Sequence, residues 1–310
     1  MNAIDTLITL ADVRGSLDLR CQFQGDWALD HDQRAVGLAP YHIVLAGECG
    51  VELRDGRRLK LVAGDILVLP EGLPHLLLSP GNRVMPSVPR LESGGLLDVK
   101  RFGNGDDLDL LCGSFHYQQG SMLFSALPDH LLISTQTLDG GHALPSLVAL
   151  LRSEANLNQA GSQYMLNALT SALFTLVLRA HLSQSPQSEG SLALLGDRRL
   201  SRAWQAMLAD PAREWTIDAL ADLATMSRAT FMRAFSKLSG SSPWALLTQV
   251  RMQMAYGLLS RSKSGLSDIA AEVGYQSQAA FSKVFKETYG MAPGQMRRQL
   301  EAGNRTMLQG

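Results

Sequence analysis

Three cysteines carry the most reactive chemistry of the first 120 residues. Cys21, Cys49 and Cys112 are odd in number and far apart, with no CxxC pair. That pattern excludes a structural zinc finger and fits a reducing compartment better than a disulfide scaffold. A thiolate is both a nucleophile toward oxidants and a ligand for soft metals. In LDLLCGSFH (108–116) the alternation places Cys112, Ser114 and His116 on one face of a strand. The C-terminal third carries a different chemistry. There Arg, Gln, Lys and Ser recur at helical spacing, and these are the types that hydrogen-bond bases and phosphates.

These polar residues ride on an internal repeat. Ser227, Phe231, Phe235, Gly240 and Pro243 recur 50 residues later as Ser277, Phe281, Phe285, Gly290 and Pro293. LADLA (220–224) is echoed by IAAEV (269–273), with one extra residue in the second turn. Each unit reads as a helix-turn-helix. A short helix, Ile217 to Ala224, presents Leu220, Leu223 and Ala224 to a core, and small Ala221 lets a second helix cross closely. Ser227 caps that second helix, Phe231 and Phe235 anchor it, Gly240 ends it and Pro243 opens the next. In the second unit Ile269, Ala270 and Val273 form the support, with Gly274 in the turn and Ser277 as cap.

With the apolar positions committed to a core, Arg228, Ala229, Thr230, Met232 and Arg233 are left outward in the first unit, and Gln278, Ala279, Ser282 and Lys283 in the second. Such residues reach base edges in a major groove. Arg233 suits guanine and Gln278 adenine, whereas Ser227, Ser277 and Lys286 are placed for phosphates.

Elements of two kinds must position these residues. From about Cys21 to Tyr117, short apolar runs such as HIVLAG and RLKLVAGDILVLP are cut by Gly, Asp and Pro, the pattern of a β barrel or sandwich. The stretch 80–107 is rich in Pro, Gly and charge and predicts a long mobile loop. After Pro128 the period becomes helical. Leu147, Leu150 and Leu151 mark one helix, and Met165, Leu169, Leu173 and Leu176 a longer one suited to the barrel or to a dimer seam. SQSPQSEGS (183–191) reads as a linker. No secretory signal or membrane span is expected, which points to the cytoplasm. The net charge of −1 hides an asymmetry: residues 197–299 hold 14 Lys and Arg against 8 Asp and Glu, a net of +6, leaving −7 for the rest. A basic module on an acidic one suggests a polyanion partner for the former.

WTIDALADLATMSRATFMRAFSKLSGSSPWALLTQVRMQMAYGLLS, followed by LSDIAAEVGYQSQAAFSKVFKETYGMAPGQMRR, resembles the DNA-binding domain of the AraC/XylS transcription regulators over residues 198–299. The resemblance implies a non-enzymatic regulator, more often an activator than a repressor, with double-stranded promoter DNA, RNA polymerase and a second copy of the chain as partners, and no membrane. Ala229 stands where some members carry a larger base-reading side chain, so the operator sequence does not transfer.

The run Gly64-Asp65, Pro70-Glu71-Gly72 and His75 fits the second cupin motif, G-x5-P-x-G-x2-H, apart from its final Asn, which is Ser79 here. The chain is therefore similar to cupins over about residues 20–120. The first cupin motif, which supplies two His and a Glu for a metal, is missing: its Glu position falls on Pro40. A cupin enzyme is accordingly not expected. His42 lies two residues past that position and would meet His75 inside the barrel. Three readings stay open: Cys21 and Cys112 as thiol sensors, His42 and His75 with a Cys thiolate as a zinc or copper site, or all of them as buried structural residues. No cofactor is required by any motif. Cys21, Asp26-Trp27, His42, His75 and Cys112-Gly113 also resemble, in order and spacing, AraC-type activators responsive to reactive chlorine species, and this implies oxidation at Cys21 and Cys112.

The fold expected is a multidomain α+β chain. Residues 1–125 form a cupin-like sensor barrel, 126–190 a helical connector that dimerises and links, and 197–299 an all-α domain with two helix-turn-helix units.

Overall fold

The computed structural model describes residues 2–80, 88–93, 95–136, 143–157, 159–184 and 190–307. The chain opens with α1 (Ala3–Ala11) and enters a long strand, β1 (Arg14–Phe23). Then follow β2 (Ala28–His31), β3 (Leu38–Ala46), β4 (Glu48–Leu53), β5 (Arg58–Val62), β6 (Asp65–Val68), β7 (His75–Leu78), β8 (Arg90–Glu92), β9 (Asp98–Phe102) and β10 (Leu108–His116). After a short α2 (Met122–Ser125) come β11 (Leu131–Ser134), α3 (Ala143–Asn156) and α4 (Ser162–Gln184). The remainder is helical: α5 (Gly190–Gly196), α6 (Leu200–Ala209), α7 (Ile217–Leu223), α8 (Arg228–Ser239), α9 (Pro243–Arg261), α10 (Leu266–Glu272), α11 (Gln278–Tyr289) and α12 (Pro293–Met307).

The chain divides into two compact units. One takes residues 13–119 and 127–186, and the other 1–12, 120–126 and 187–310. The barrel strands and the helices α3 and α4 thus share a unit, while α1 and α2 belong with the helical module.

The barrel unit pairs a seven-stranded sheet, β11-β6-β3-β10-β1-β9-β8, with a four-stranded sheet, β2-β7-β4-β5. Cys21, Phe23, Trp27, Val44, Val51, Leu61, Leu67, Leu77, Leu110 and Cys112 fill the space between them. In β3 six consecutive residues, Ala39 to Val44, are buried. Such a run means both faces are covered. One face looks into the barrel, and the other carries Tyr41, which stacks on Phe115 at 4.6 Å, with Phe115 edge-on to Phe174 of α4 at 5.2 Å. Gly15 permits this helix to lie on β1, because a Cβ there would stand 2.5 Å from the Thr170 backbone. Between the interior strands β1 and β10, Arg20 grips buried Asp109 with two hydrogen bonds, 2.8 and 2.6 Å.

Several expectations change here. The stretch 80–107 contains β8 and β9, and β9 runs parallel to β1; 81–87 and 94 lie outside the described residues. β11 continues the sheet beyond Pro128. Of the predicted helical stripe Met165, Leu169, Leu173 and Leu176, Leu173 is fully buried while Met165 is 47% exposed. The face of α4 that packs is Leu166, Thr170, Leu173, Phe174, Val177 and Leu178. By length and composition α4 is the one described helix that could cross a membrane. Of the linker 183–191, residues 185–189 lie outside the described residues, and Gly190 and Ser191 already belong to α5.

Candidate nucleic-acid interface and barrel cluster

In the helical unit the repeat is built as its residue types require. Ser227 Oγ accepts from Thr230 N at 3.3 Å, and Ser277 Oγ from Ala280 N at 3.2 Å, so each reading helix is capped by its own serine. Gly240 and Gly290 close those helices at φ +67 and +75. Phe231 and Phe235 are buried in the first unit, and Phe281 and Phe285 in the second. The connecting α9 serves both: Leu246, Leu247 and Val250 are buried beside the first unit's core, and Met252, Ala255 and Leu259 join Ile269, Val273, Phe281 and Phe285 in the core of the second. At 19 residues it is about 28 Å long.

Of the twelve residues assigned to DNA, Ser227, Arg228, Ala229, Thr230, Arg233, Ser277, Gln278, Ala279, Lys283 and Lys286 are exposed, while Met232 and Ser282 are half-buried. Their outward placement follows from burying the phenylalanines. Leu220 and Ala224 face the core as expected, but Leu223 is 39% exposed, and Ile217 and Ala221 are the further buried residues of this helix. Both support helices end in the same Schellman pattern. Met226 N donates to Ala221 O at 2.9 Å and Thr225 N to Asp222 O at 2.9 Å; in the second unit Tyr275 N donates to Ala270 O at 2.8 Å and Gly274 N to Ala271 O at 3.0 Å. The extra residue of the second turn is thus Gln276, whose amide donates to Glu214 Oε1 at 2.8 Å. Arg251 also escaped the sequence reading: it donates to the carbonyls of Pro211 at 2.8 Å, Arg213 at 3.0 Å and Gly274 at 3.3 Å.

The barrel holds the second site. His42 and His75 do meet: their Nε2 atoms are 2.8 Å apart. His42 Nδ1 lies 3.1 Å from Cys112 Sγ, and Cys112 Sγ 4.0 Å from Cys21 Sγ, both cysteines being free and buried. Ser114 is half-buried and His116 exposed, and β10 keeps unbroken register with β3 from Leu110 to His116, so both stay on the Cys112 side of the strand. Cys49 lies in the same core, with burial pushing its thiol up to about 12.

Proton positions follow from the acceptors. The Leu73 carbonyl can only accept, so His75 carries its proton on Nδ1, which donates to it at 3.0 Å. His75 Nε2 is then a lone pair, and His42 donates to it from Nε2. His42 Nδ1 in turn accepts from the Cys112 S–H. A single hydrogen-bonded chain thus runs from a thiol on β10 through two imidazoles to the backbone of the turn before β7. Burial keeps both histidines neutral, His42 well below the ordinary imidazole range and His75 below it. The Cys112 thiol is held well above its ordinary value, first by its hydrogen bond with Cys21 and then by burial.

His31 completes the cluster, and the sequence reading missed it. It pairs in register with His75, its ring stacks on His75 at 4.5 Å, and its Nδ1 donates to Leu29 O at 3.3 Å. The alternation in ALDH (28–31) was the only local signal; the register that sets β2 beside β7 is not local.

A barrel with a buried polar cluster, carried on the same chain as two capped reading helices, defines a DNA-binding regulator of two parts. A family model described as Cupin matches residues 2–183, and one described as Helix-turn-helix domain matches 220–299. An uncharacterized HTH-type transcriptional regulator of Haemophilus influenzae is 38% identical, over 97% of this chain and 99% of its own. The HTH-type transcriptional regulator MtrA of Neisseria gonorrhoeae is 35% identical over 96% and 99%, and the RCS-specific HTH-type transcriptional activator RclR of Escherichia coli 27% identical over 97% and 98%. The chain belongs to the AraC-type helix-turn-helix transcriptional regulators with an N-terminal cupin domain, and it is a DNA-binding protein rather than an enzyme.

Proposed function

We propose that this regulator is a cytoplasmic activator that binds promoter DNA through α8 and α11 and responds to oxidant by joining Cys21 to Cys112. The observation that carries the reading is the pair of free thiols 4.0 Å apart, one of them hydrogen-bonded to His42. Hypochlorous acid is small and neutral enough to enter an apolar barrel. It transfers chlorine to one sulfur, its oxygen leaving as water with the thiol proton; the second thiol then displaces chloride, and His42 Nδ1 is placed to accept a proton. Two thiols lose two electrons, and the chlorine becomes chloride. The relative named as an RCS-specific activator, alike over nearly its whole length, supports the same class of signal.

Cys21 sits opposite Leu110 and Cys112 opposite Leu19, so the thiols are diagonal neighbours on β1 and β10. Closing their sulfurs to about 2.05 Å draws those two strands together. Residue 13 follows directly on the segment that belongs with the reader, and residue 119 directly precedes another such segment. Each of these strands is therefore within a few residues of a covalent passage into the DNA-binding unit. Met165, Tyr164, Leu150 and Leu157 on α3, α4 and the turn between them are 47, 82, 47 and 41% exposed, and covering such apolar side chains is what a second copy of the chain would supply. RNA polymerase is the further partner an activator requires.

The test is promoter induction by hypochlorous acid in Cys21→Ser and Cys112→Ser chains. Each is expected to bind DNA and lose induction. Normal induction in both overturns the thiol reading.

A further inference from the structure

The imidazole cluster holds more than the thiol chemistry uses. One ring nitrogen from each of His31, His42 and His75 lies within 4.8 Å of the other two. The three residues come from β2, β3 and β7, so the cluster ties the four-stranded sheet to the seven-stranded one. His31 and His75 each spend Nδ1 on the carbonyl two residues back, Leu29 at 3.3 Å and Leu73 at 3.0 Å. Histidines that bind metals almost always hold such an outer bond, which fixes the ring and leaves Nε2 as the donor. Neutral imidazole is the ligating form, and the three rings meet inside the barrel, His42 and His75 buried and His31 half-buried.

We propose that His31, His42 and His75 bind one divalent transition-metal ion of zinc-like, borderline softness at the centre of the barrel. The set is three neutral nitrogens without a carboxylate, which suits zinc better than magnesium, calcium or manganese. It is not the arrangement that the first cupin motif would supply, since that motif is missing from the chain. Zinc–nitrogen bonds of about 2.0–2.1 Å put tetrahedral ligands about 3.3 Å apart. The His42–His75 separation of 2.8 Å must open by about half an ångström from its present hydrogen bond. The fourth position is left to water. When His42 gives its Nε2 lone pair to the ion, its proton must sit on Nδ1. The His42–Cys112 hydrogen bond then reverses, with the imidazole donating and the sulfur accepting. Cys112 becomes the outer partner that orients His42, as Leu29 and Leu73 orient the other two.

The metal-bound tautomer withdraws the His42 Nδ1 acceptor that the thiol reading uses, so the two readings share that atom, and one experiment separates them. Full-length chain is stripped with a chelator, dialysed, and titrated with zinc and with cobalt as a coloured stand-in. The expected result is one ion per chain, with the visible d–d bands of a tetrahedral cobalt site and no sulfur-to-cobalt charge-transfer band. His31→Gln and His75→Gln each weaken binding by at least about tenfold, and Cys112→Ser leaves the stoichiometry at one. His31 is the least buried of the three, and a near-ultraviolet circular dichroism spectrum and urea midpoint equal to wild type show that the barrel of the His31→Gln chain is folded. Absence of saturable binding, binding unchanged in both histidine variants, or a charge-transfer band that Cys112→Ser abolishes each overturns the proposal. Zinc binding by a chain whose DNA occupancy ignores hypochlorous acid overturns the thiol reading and leaves this one standing.

Discussion

Thr225 and Gly274 occupy the same position in the two helix-turn-helix turns, and they meet its demands unequally. Both sit in the left-handed region, at φ +53 and +83. The Schellman bonds require that conformation of whichever residue stands there. A β-branched residue is poorly suited to it, at a cost of about 1–2 kcal/mol, whereas glycine adopts it freely but gives up about 0.5–1 kcal/mol of unfolded-chain entropy. The first effect exceeds the second. Thr225→Gly is therefore expected to raise stability by about 0.5–1 kcal/mol, seen as a higher urea midpoint at unchanged slope. A lower midpoint would mean that the Thr225 side chain contributes more than its backbone costs. Gly274 has a second constraint: a Cβ there would stand 2.6 Å from the Ala212 carbonyl oxygen, so the second turn admits glycine alone.

That close approach is held by an element-level device, the guanidinium of Arg251. From the middle of α9 it donates to Pro211, Arg213 and Gly274, fastening the loop before α7 and the turn after α10 to the helix they share. A flat fork with five donors can reach three carbonyls; an ammonium on a flexible stem cannot hold the same geometry. Arg251→Lys is expected to cost about 2 kcal/mol or more, since hydrogen bonds to a charged group contribute about 1.5–3 kcal/mol each. Hydrogen exchange should show the loss first at the turn around Gly274; protection there equal to wild type would sink the idea. What was legible in the sequence follows the same line between local and distant. Caps, anchors and terminators of the reading helices lie within a few residues of one another, so Ser227, Phe231 and Gly240 announced their helix and their repeats announced the second. Residues on one strand face were also readable, as with Cys112. Pairings were not. His31 joined the cluster through its register with His75, β9 became a strand by lying beside β1, and Arg251 acts on carbonyls 38 to 40 residues back and 23 ahead. Leu223 had the right type for a core but fell on the open side of a helix only seven residues long, too short for periodicity to fix its face.

At the scale of the whole chain, the charge division between a +6 reader and a −7 remainder decides how binding responds to salt. Phosphate contacts release counterions, so each one steepens the fall of log K with log salt by about 0.9 on duplex DNA, whereas a base contact changes sequence preference and leaves that slope alone. The residues on α8 and α11 can be sorted by this criterion. Arg233 is exposed on the outward side of α8 and has the planar fork that pairs with guanine; Lys286, exposed in the last turn of α11, is a point charge far from the capped end of its helix. Arg233→Ala should weaken binding by about 1–3 kcal/mol and relax preference at one base pair. Lys286→Ala should weaken all duplexes alike and reduce the salt slope by about 0.9. Titrations of the full-length chain on its operator and on scrambled duplexes, at several salt concentrations, read both quantities at once. If Arg233→Ala lowers the slope and penalises every sequence equally, Arg233 sits on a phosphate, and the first unit positions the protein while the second, through Gln278 and Lys283, carries the sequence discrimination.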